Sequence, residues 1–251
     1  MKYVQFDVQD HLAAVTLNKP PVNAMNLEMY GEITDTFRGI NENPDIWAVL
    51  FRAEGRFFSA GNDVSDFSGV YDLAYIQKID AAIQSVFACK VPVVAAVQGA
   101  AIGGGFTMVS ACDIVVAAEK TKFSIPEARL GKVGGSAGAS FSLPQKVVRY
   151  MALTGDTLLA EELAPYGFIR KIVPREELDD TAYTIARKIL ANPPLSVRYT
   201  KESLNRVYEE AAQLKKIPLD HQVSLKIADT EDSKEALRAF AEKRAPKYMG
   251  R

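Results

Sequence analysis

Residues 91–131 read VPVVAAVQGAAIGGGFTMVSACDIVVAAEKTKFSIPEARLG. The run 91–99 is continuously apolar, as a strand buried on both faces requires. Gly103 to Ala111 opens a helix, 113–119 (DIVVAAE) is a second buried strand and 122–126 (KFSIP) a short one. Strands alternating with helices imply right-handed crossovers and a largely parallel sheet, so the chain is α/β. Gly103, Gly104 and Gly105 stand out. Glycine costs roughly 0.5–1 kcal/mol against alanine inside a helix. Three together mean that something approaches this backbone too closely for a side chain.

The pattern extends outward from there. YVQFDV (3–8) and AAVTL (13–17) form a hairpin turning at QDH. Asn26 caps a helix running to about Asn41, WAVLFR (47–52) is a strand, and AEGRFFSAGNDVSDF is a loop entering a short helix with Asp63 near its first turn. Residues 71–89 form an amphipathic helix with Leu73, Ile76, Ile79, Ile83, Val86 and Phe87 on its buried side. From about Ser140 the chain is mostly helical, with FIRKIV (168–173) as a late strand, and NPPLSVRYTK (192–201) punctuates two helices. This divides the chain into an α/β core, 1–190, and a helical extension, 191–251.

Composition excludes several classes. Of 251 residues 48% are hydrophobic and 24% charged, ordinary for a soluble protein. A net charge of -1 predicts neither nucleic-acid nor membrane-surface binding. The start of the chain has no signal-peptide core, and no apolar run approaches the ~20 residues of a membrane span, so a cytoplasmic protein is expected. Cys89 and Cys112 form no CxxC and have no His close by, so they read as structural thiols and no metal site is expected.

The glycine spacing fits neither a dinucleotide fingerprint nor a P-loop, since Phe106 follows Gly105 where a P-loop needs lysine. GGSAG (134–138) matches the G-x-S-x-G elbow of serine hydrolases, and Asp156, Asp179, Asp180 and His221 follow in triad order. The elbow needs an apolar strand before Ser136, and EARLGKV carries Glu127, Arg129 and Lys132 instead. Ser136 therefore reads as a small residue in a tight turn. The remaining reading uses backbone N–H groups. A glycine-rich turn at a helix N-terminus aims unpaired donors at one place. FFSAGNDV (57–64) supplies a second such loop. If the N–H groups of Asn62 and Gly104 converge, they form an oxyanion hole for a carbonyl that becomes an enolate.

FFSAGNDV, the stretch 91–131, ALTGD (152–156) and the terminal FAEKRAPKYMGR together resemble the crotonase (enoyl-CoA hydratase/isomerase) superfamily across essentially the whole chain. The resemblance implies a crotonase-like spiral of ββα repeats with a helical C-terminal extension. It also implies coenzyme A thioester substrates without a further cofactor, and a homotrimer or dimer of trimers built on residues 191–251. It assigns the oxyanion hole to Asn62 and Gly104, and contact with CoA to Ala60, Gly61, Asn62, Asp63 and Val64. Phe240 and Lys243 match the family's CoA-contacting helix, often a neighbouring subunit's; an amphipathic end helix explains the same spacing.

Hydratases of this family usually carry two glutamates. Here the first position is Thr107 and the second Glu127. Threonine can hold a water but is no general base at neutral pH; Glu127 can be one, especially in a half-apolar pocket. Moving a double bond from the 3,4 to the 2,3 position needs one base, so the resemblance favours an enoyl-CoA isomerase. Hydration or dehydration through a water held by Thr107 is the rival, followed by decarboxylation or C–C hydrolysis and by acyl-CoA binding without turnover. Glu127 and Thr107 also have plain readings, as an acid at a helix start and a space-filling threonine. KVGGSAGASFSLPQ (132–145) departs from the family's usual run, which leaves the acyl group open. His11 and His221 match no catalytic position.

Overall fold

The computed structural model describes residues 1–63, 73–140, 142–212 and 230–249. Strands β1 (Val4–Gln9) and β2 (Leu12–Leu17) form the hairpin, with Gln9 opposite Leu12. Asp10 and His11 make the two-residue turn at φ 48° and 67°, the left-handed conformation such hairpins require. β2 runs parallel to β3 (Ala48–Ala53), β3 to β4 (Val93–Val97), β4 to β6 (Ile114–Ala118) and β6 to β9 (Lys171–Val173). β1, at the edge, buries only Val4.

Every residue of β4 is buried, and the alternation divides them between two cores. Val93, Ala95 and Val97 join a large cluster with Phe37 and Ile33 of α1 (Leu27–Glu42) and Ile79 and Val86 of α2 (Leu73–Phe87). Val94 and Ala96 face the other way, onto Leu178, Ala182 and Ala186 of a helix spanning Leu178–Leu190. Those three recur every four residues, so one helix stripe lies on the sheet. Asn26 caps α1 as its sequence predicts, its side chain accepting from Met29 N–H at 2.9 Å.

A second sheet consists of β5 (Ala100–Ile102), β7 (Lys122–Ser124) and β8 (Thr157–Leu159). The chain leaves β4 for β5 at Gly99. Its φ is +64°, and a Cβ there would lie 2.0 Å from Arg56 O, so only glycine turns this corner. Then follows α3 (Gly104–Ser110). Strand, short strand, helix is the ββα unit that the resemblance implies. Further helices are α4 (Ser136–Ala139), α5 (Gln145–Thr154), α6 (Ala160–Leu163), α7 (the Leu178–Leu190 helix), α8 (Pro194–Ala212) and α9 (Glu231–Ala241).

Two expectations need correction, and the rejection of a serine elbow holds. The strand expected at 168–173 spans only Lys171–Val173; Phe168 and Ile169 are apolar because they fill the core ahead of it, where Phe168 meets Phe106 and Phe123 edge-on. β5 and β8 are too short to show a two-residue period and were missed. The apolar strand that a serine elbow requires does not precede Ser136: the turn Glu127–Leu130 lies ahead of it, and Asp156 and Asp179 pair with Arg129 and Arg52. The helix expected after Asp63, and Val64 and His221, lie outside the described residues.

Candidate active site

Two loops are stitched together at the centre. Ser59 N–H donates to Ala100 O at 3.1 Å, and Ile102 N–H to Ser59 O at 3.0 Å. On the other side Met25 N–H donates to Gly61 O at 2.8 Å, and Asp63 N–H to Met25 O at 2.9 Å. This is a parallel bridge in which the residues flanking Asn62 do the bonding, so the N–H of Asn62 faces away from Met25. Gly61 sits at φ +89°, where a Cβ would lie 2.7 Å from Ile102 O and 3.7 Å from Gly104 N.

The three glycines each have a neighbour that explains them. A Cβ on Gly103, at φ +51°, would lie 2.7 Å from Oε1 of Glu127. One on Gly104 would lie 2.5 Å from Asn62 Oδ1 and 2.6 Å from the Tyr30 hydroxyl. One on Gly105 would lie 2.8 Å from the Ser59 Cβ. The missing side chains thus make room for the candidate base, for the Asn62 loop and for the stitch that joins the loops. Gly103 N–H is taken by Ser124 O at 2.9 Å. Among the described residues, neither the Gly104 nor the Asn62 N–H has a hydrogen-bond acceptor.

Both residues open into one cavity of about 460 Å³. Glu127, behind Pro126 at the start of its turn, also lines it, as do Thr107 and the glycine-rich stretch 134–138. Gly135 links the two candidate acid–base positions: its Cβ would lie 3.3 Å from Thr107 Oγ1 and 3.4 Å from Glu127 Oε1. The Thr107 hydroxyl itself donates to Gly103 O at 3.2 Å, and Gly138 would meet Thr107 Cγ2 at 2.6 Å. So Thr107 is buried and closely packed, with its proton already placed. A pair of N–H donors, the Glu127 carboxylate beside them and an apolar wall from Ile79, Ile83 and Phe87 suit the formation and return of an enolate.

Residues 7–251 match the enoyl-CoA hydratase/isomerase family. The chain belongs to that family. It is therefore an enzyme of the crotonase type. It is 35% identical to a (7aS)-7a-methyl-1,5-dioxo-2,3,5,6,7,7a-hexahydro-1H-indene-carboxyl-CoA hydrolase of Rhodococcus jostii (strain RHA1), over 79% of this chain and 78% of the relative. It is 32% identical to (E)-benzylidenesuccinyl-CoA hydratase of Thauera aromatica, over 98% of this chain and 99% of that one. The crystal structure of an enoyl-CoA hydratase/isomerase from Pseudoalteromonas atlantica T6c superposes with a TM-score of 0.90 at 28% identity, covering 98% of this chain and all of the other.

Within this crotonase-type enzyme the expected site residues divide. Ala60, Gly61, Asn62, Gly104, Thr107, Glu127 and Phe240 all line the cavity, Phe240 from α9 of the same chain. Asp63 instead turns its carboxylate to Lys19 at 2.5 Å. Lys243, just past the end of α9, does not line the cavity in this chain. Residues missed from sequence are Asp80, Arg129 and Lys132, which line the cavity, and Tyr30, which donates to Asn62. Helical spacing finds an apolar stripe but not which part of it faces a void, so Ile83 and Phe87 read as core. Cys89 and Cys112 are poor nucleophiles, because burial raises the pKa of both thiols. Among the described residues no group of three or more His, Cys, Asp or Glu side chains is placed to hold a metal, and no helix is long and apolar enough to cross a membrane.

Proposed function

We propose that the enzyme moves a double bond in an acyl-CoA, from the 3,4 to the 2,3 position, with Glu127 as sole base. Glu127 breaks the C2–H bond and its electron pair passes into the thioester as a dienolate. The N–H groups of Asn62 and Gly104 hold the oxygen as charge grows on it. Glu127 then returns the proton to C4: the C3=C4 pair forms the new C4–H bond, the C1=C2 pair of the dienolate becomes C2=C3, and the oxygen pair restores the thioester carbonyl. The observation that carries this is Thr107. Where a two-carboxylate hydratase has an acid, this site has a buried hydroxyl already donating to Gly103 O. Acyl-CoA as substrate is supported by the relatives' names.

Two observations favour other outcomes for the same enolate. The 35% identical relatives of Rhodococcus jostii and Mycobacterium tuberculosis carry the name of a hydrolase for a dioxo-indene carboxyl-CoA, in which Glu127 would activate water toward a ring ketone. The Thauera aromatica relative is named as a hydratase. A panel of 3-enoyl-, 2-enoyl- and cyclic 3-oxoacyl-CoA thioesters separates the three. Isomerisation requires conjugated thioester absorbance to appear from the 3-enoyl substrate; release of 3-hydroxyacyl-CoA or ring opening in its place refutes it. For assembly, a homotrimer through residues 191–251 is supported by four exposed apolar residues on α8, Leu195, Tyr199, Leu204 and Val207. Mass photometry tests it, and a monomer refutes it.

A further inference from the structure

Glu127 can act as a base only if the short turn that carries it, Glu127–Leu130, is held in register with the two N–H donors. Bonds within the turn are local. Arg129 N–H donates to Pro126 O at 2.9 Å, Gly131 N–H to Ala128 O at 3.2 Å and Lys132 N–H to Glu127 O at 2.9 Å. They shape the turn without fixing it to the rest of the fold. The side chain of Arg129 reaches out to the end of α5. Its Nε donates to Thr154 O at 2.8 Å, and its guanidinium pairs with Asp156. Thr154 O is one of the last carbonyls of α5, where a cation is favoured. Between these two acceptors lies Gly155, whose Cβ would stand 2.7 Å from Cγ and Nε of Arg129. The Tyr150 hydroxyl donates to the other oxygen of Asp156 at 2.6 Å. The last three residues of ALTGD thus supply an acceptor, a space and a carboxylate to one guanidinium.

We propose that Arg129 is a positioning residue: gripped by Thr154 and Asp156, it fixes the turn so that Glu127 meets C2 of the substrate. The inference rests on reading Glu127 as the base. An exposed ion pair contributes little to stability, and Arg129 and Asp156 are both partly open to water. The contribution of the pair is geometric. A carbonyl and a carboxylate take two donors of one planar guanidinium, which fixes its orientation as well as its distance. Arg129 and Glu127 share a single turn of 3-10 helix, so the grip passes directly to the base. The tolerance there is small, since Oε1 of Glu127 lies where a Cβ on Gly103 would be 2.7 Å away. A misplacement of ~1 Å at the reacting group costs on the order of 10²-fold in rate. Arg129 also borders the cavity, but its charge is met by Asp156 and by the carbonyl end of α5, which argues against an anion-binding role.

The test reads proton removal alone. A saturated acyl-CoA in D2O has no double bond to move. Glu127 breaks a C2–H bond, its carboxyl exchanges that proton with solvent, and a deuteron returns to C2. Deuterium uptake is followed by mass spectrometry with butyryl-, octanoyl- and cyclohexanecarboxyl-CoA, and the native enzyme exchanges one or more of them. Arg129→Met slows that exchange at least about tenfold, while affinity for free CoA stays within about threefold. Arg129→Lys recovers part of the rate. Asp156→Asn, which leaves the turn itself untouched, slows exchange less than Arg129→Met does. In a Glu127→Gln background Arg129→Met brings no further loss, because it acts through the base. A native rate in either Arg129→Met or Asp156→Asn overturns the proposal. So does Arg129→Met that weakens free CoA, which marks a phosphate contact, or that costs as much again beside Glu127→Gln, which marks an effect outside the base. Exchange that is absent from the native enzyme, or that survives Glu127→Gln, refutes the base itself and this proposal with it. That failure is told apart because it shows without any Arg129 variant.

Discussion

The hydroxyl of Tyr30 donates to Oδ1 of Asn62 at 2.5 Å, and the Cα of Gly104 packs against both. Tyr30 is fully buried in α1, so a core side chain sets the position of one proposed oxyanion donor relative to the other. Tyr30→Phe keeps the packing and removes this tether. We expect kcat to fall about tenfold with KM little changed, short of the ~10²–10³ lost with a whole oxyanion donor. Stability should fall by about 1 kcal/mol. Steady-state kinetics with a denaturant melt decide it; unchanged kcat would show that Asn62 is held without the phenol.

Gly104→Ala introduces a methyl where Asn62 Oδ1 and Tyr30 Oη lie at 2.5 and 2.6 Å. The methyl must push the Asn62 loop away, which separates the two N–H donors. Turnover should drop at least ~10²-fold, with a smaller loss of Tm. Retained kcat beside a collapsed Tm would make the glycine a packing device only.

Thr107→Val separates migration from hydration. It removes a hydroxyl that donates to Gly103 O while preserving shape in a position already crowded by Gly138. Under single-base isomerisation the rate should stay within about threefold, since no proton passes through the hydroxyl. A loss of ~10² or more, with 3-hydroxyacyl-CoA as the native product, would mean that Thr107 holds the attacking water.

Glu32 fastens the N-terminus to α1. It accepts N–H bonds from Lys2, Tyr3 and Val4 at 2.6, 2.8 and 2.9 Å. Burial raises its pKa, but these bonds outweigh it and hold the carboxyl below its ordinary value. The stabilisation is therefore present above the unfolded carboxylate pKa and lost as pH falls below it. Glu32→Gln should lower Tm near neutral pH, and the gap to native protein should close as pH falls through and below the ordinary carboxylate range. A gap that stays constant with pH would mean that charge plays no part.

The long elements were legible because β4 is apolar throughout and α1 carries both its cap and its stripe. The second sheet was not, because three-residue strands such as β5 and β8 are too short for a period to show. At the site, the glycines announced a close approach, and the structure shows what approaches: Glu127 at Gly103 and Asn62 at Gly104. Asp80 and Lys132 were invisible because a charge on a helix or loop looks solvated until the cavity wall is known. Tyr30 was invisible for the opposite reason, as an aromatic residue in an apolar stripe whose hydroxyl partner is 32 residues away.

Glu127→Gln bears on the proton transfer itself. The amide keeps the shape that Gly103 accommodates and removes the basicity. With a 3-enoyl-CoA substrate, conjugated thioester absorbance should form at least ~10²-fold more slowly than with native enzyme, while affinity for CoA stays nearly intact. A Glu127→Gln variant that forms the conjugated product at the native rate would place the base elsewhere in the cavity.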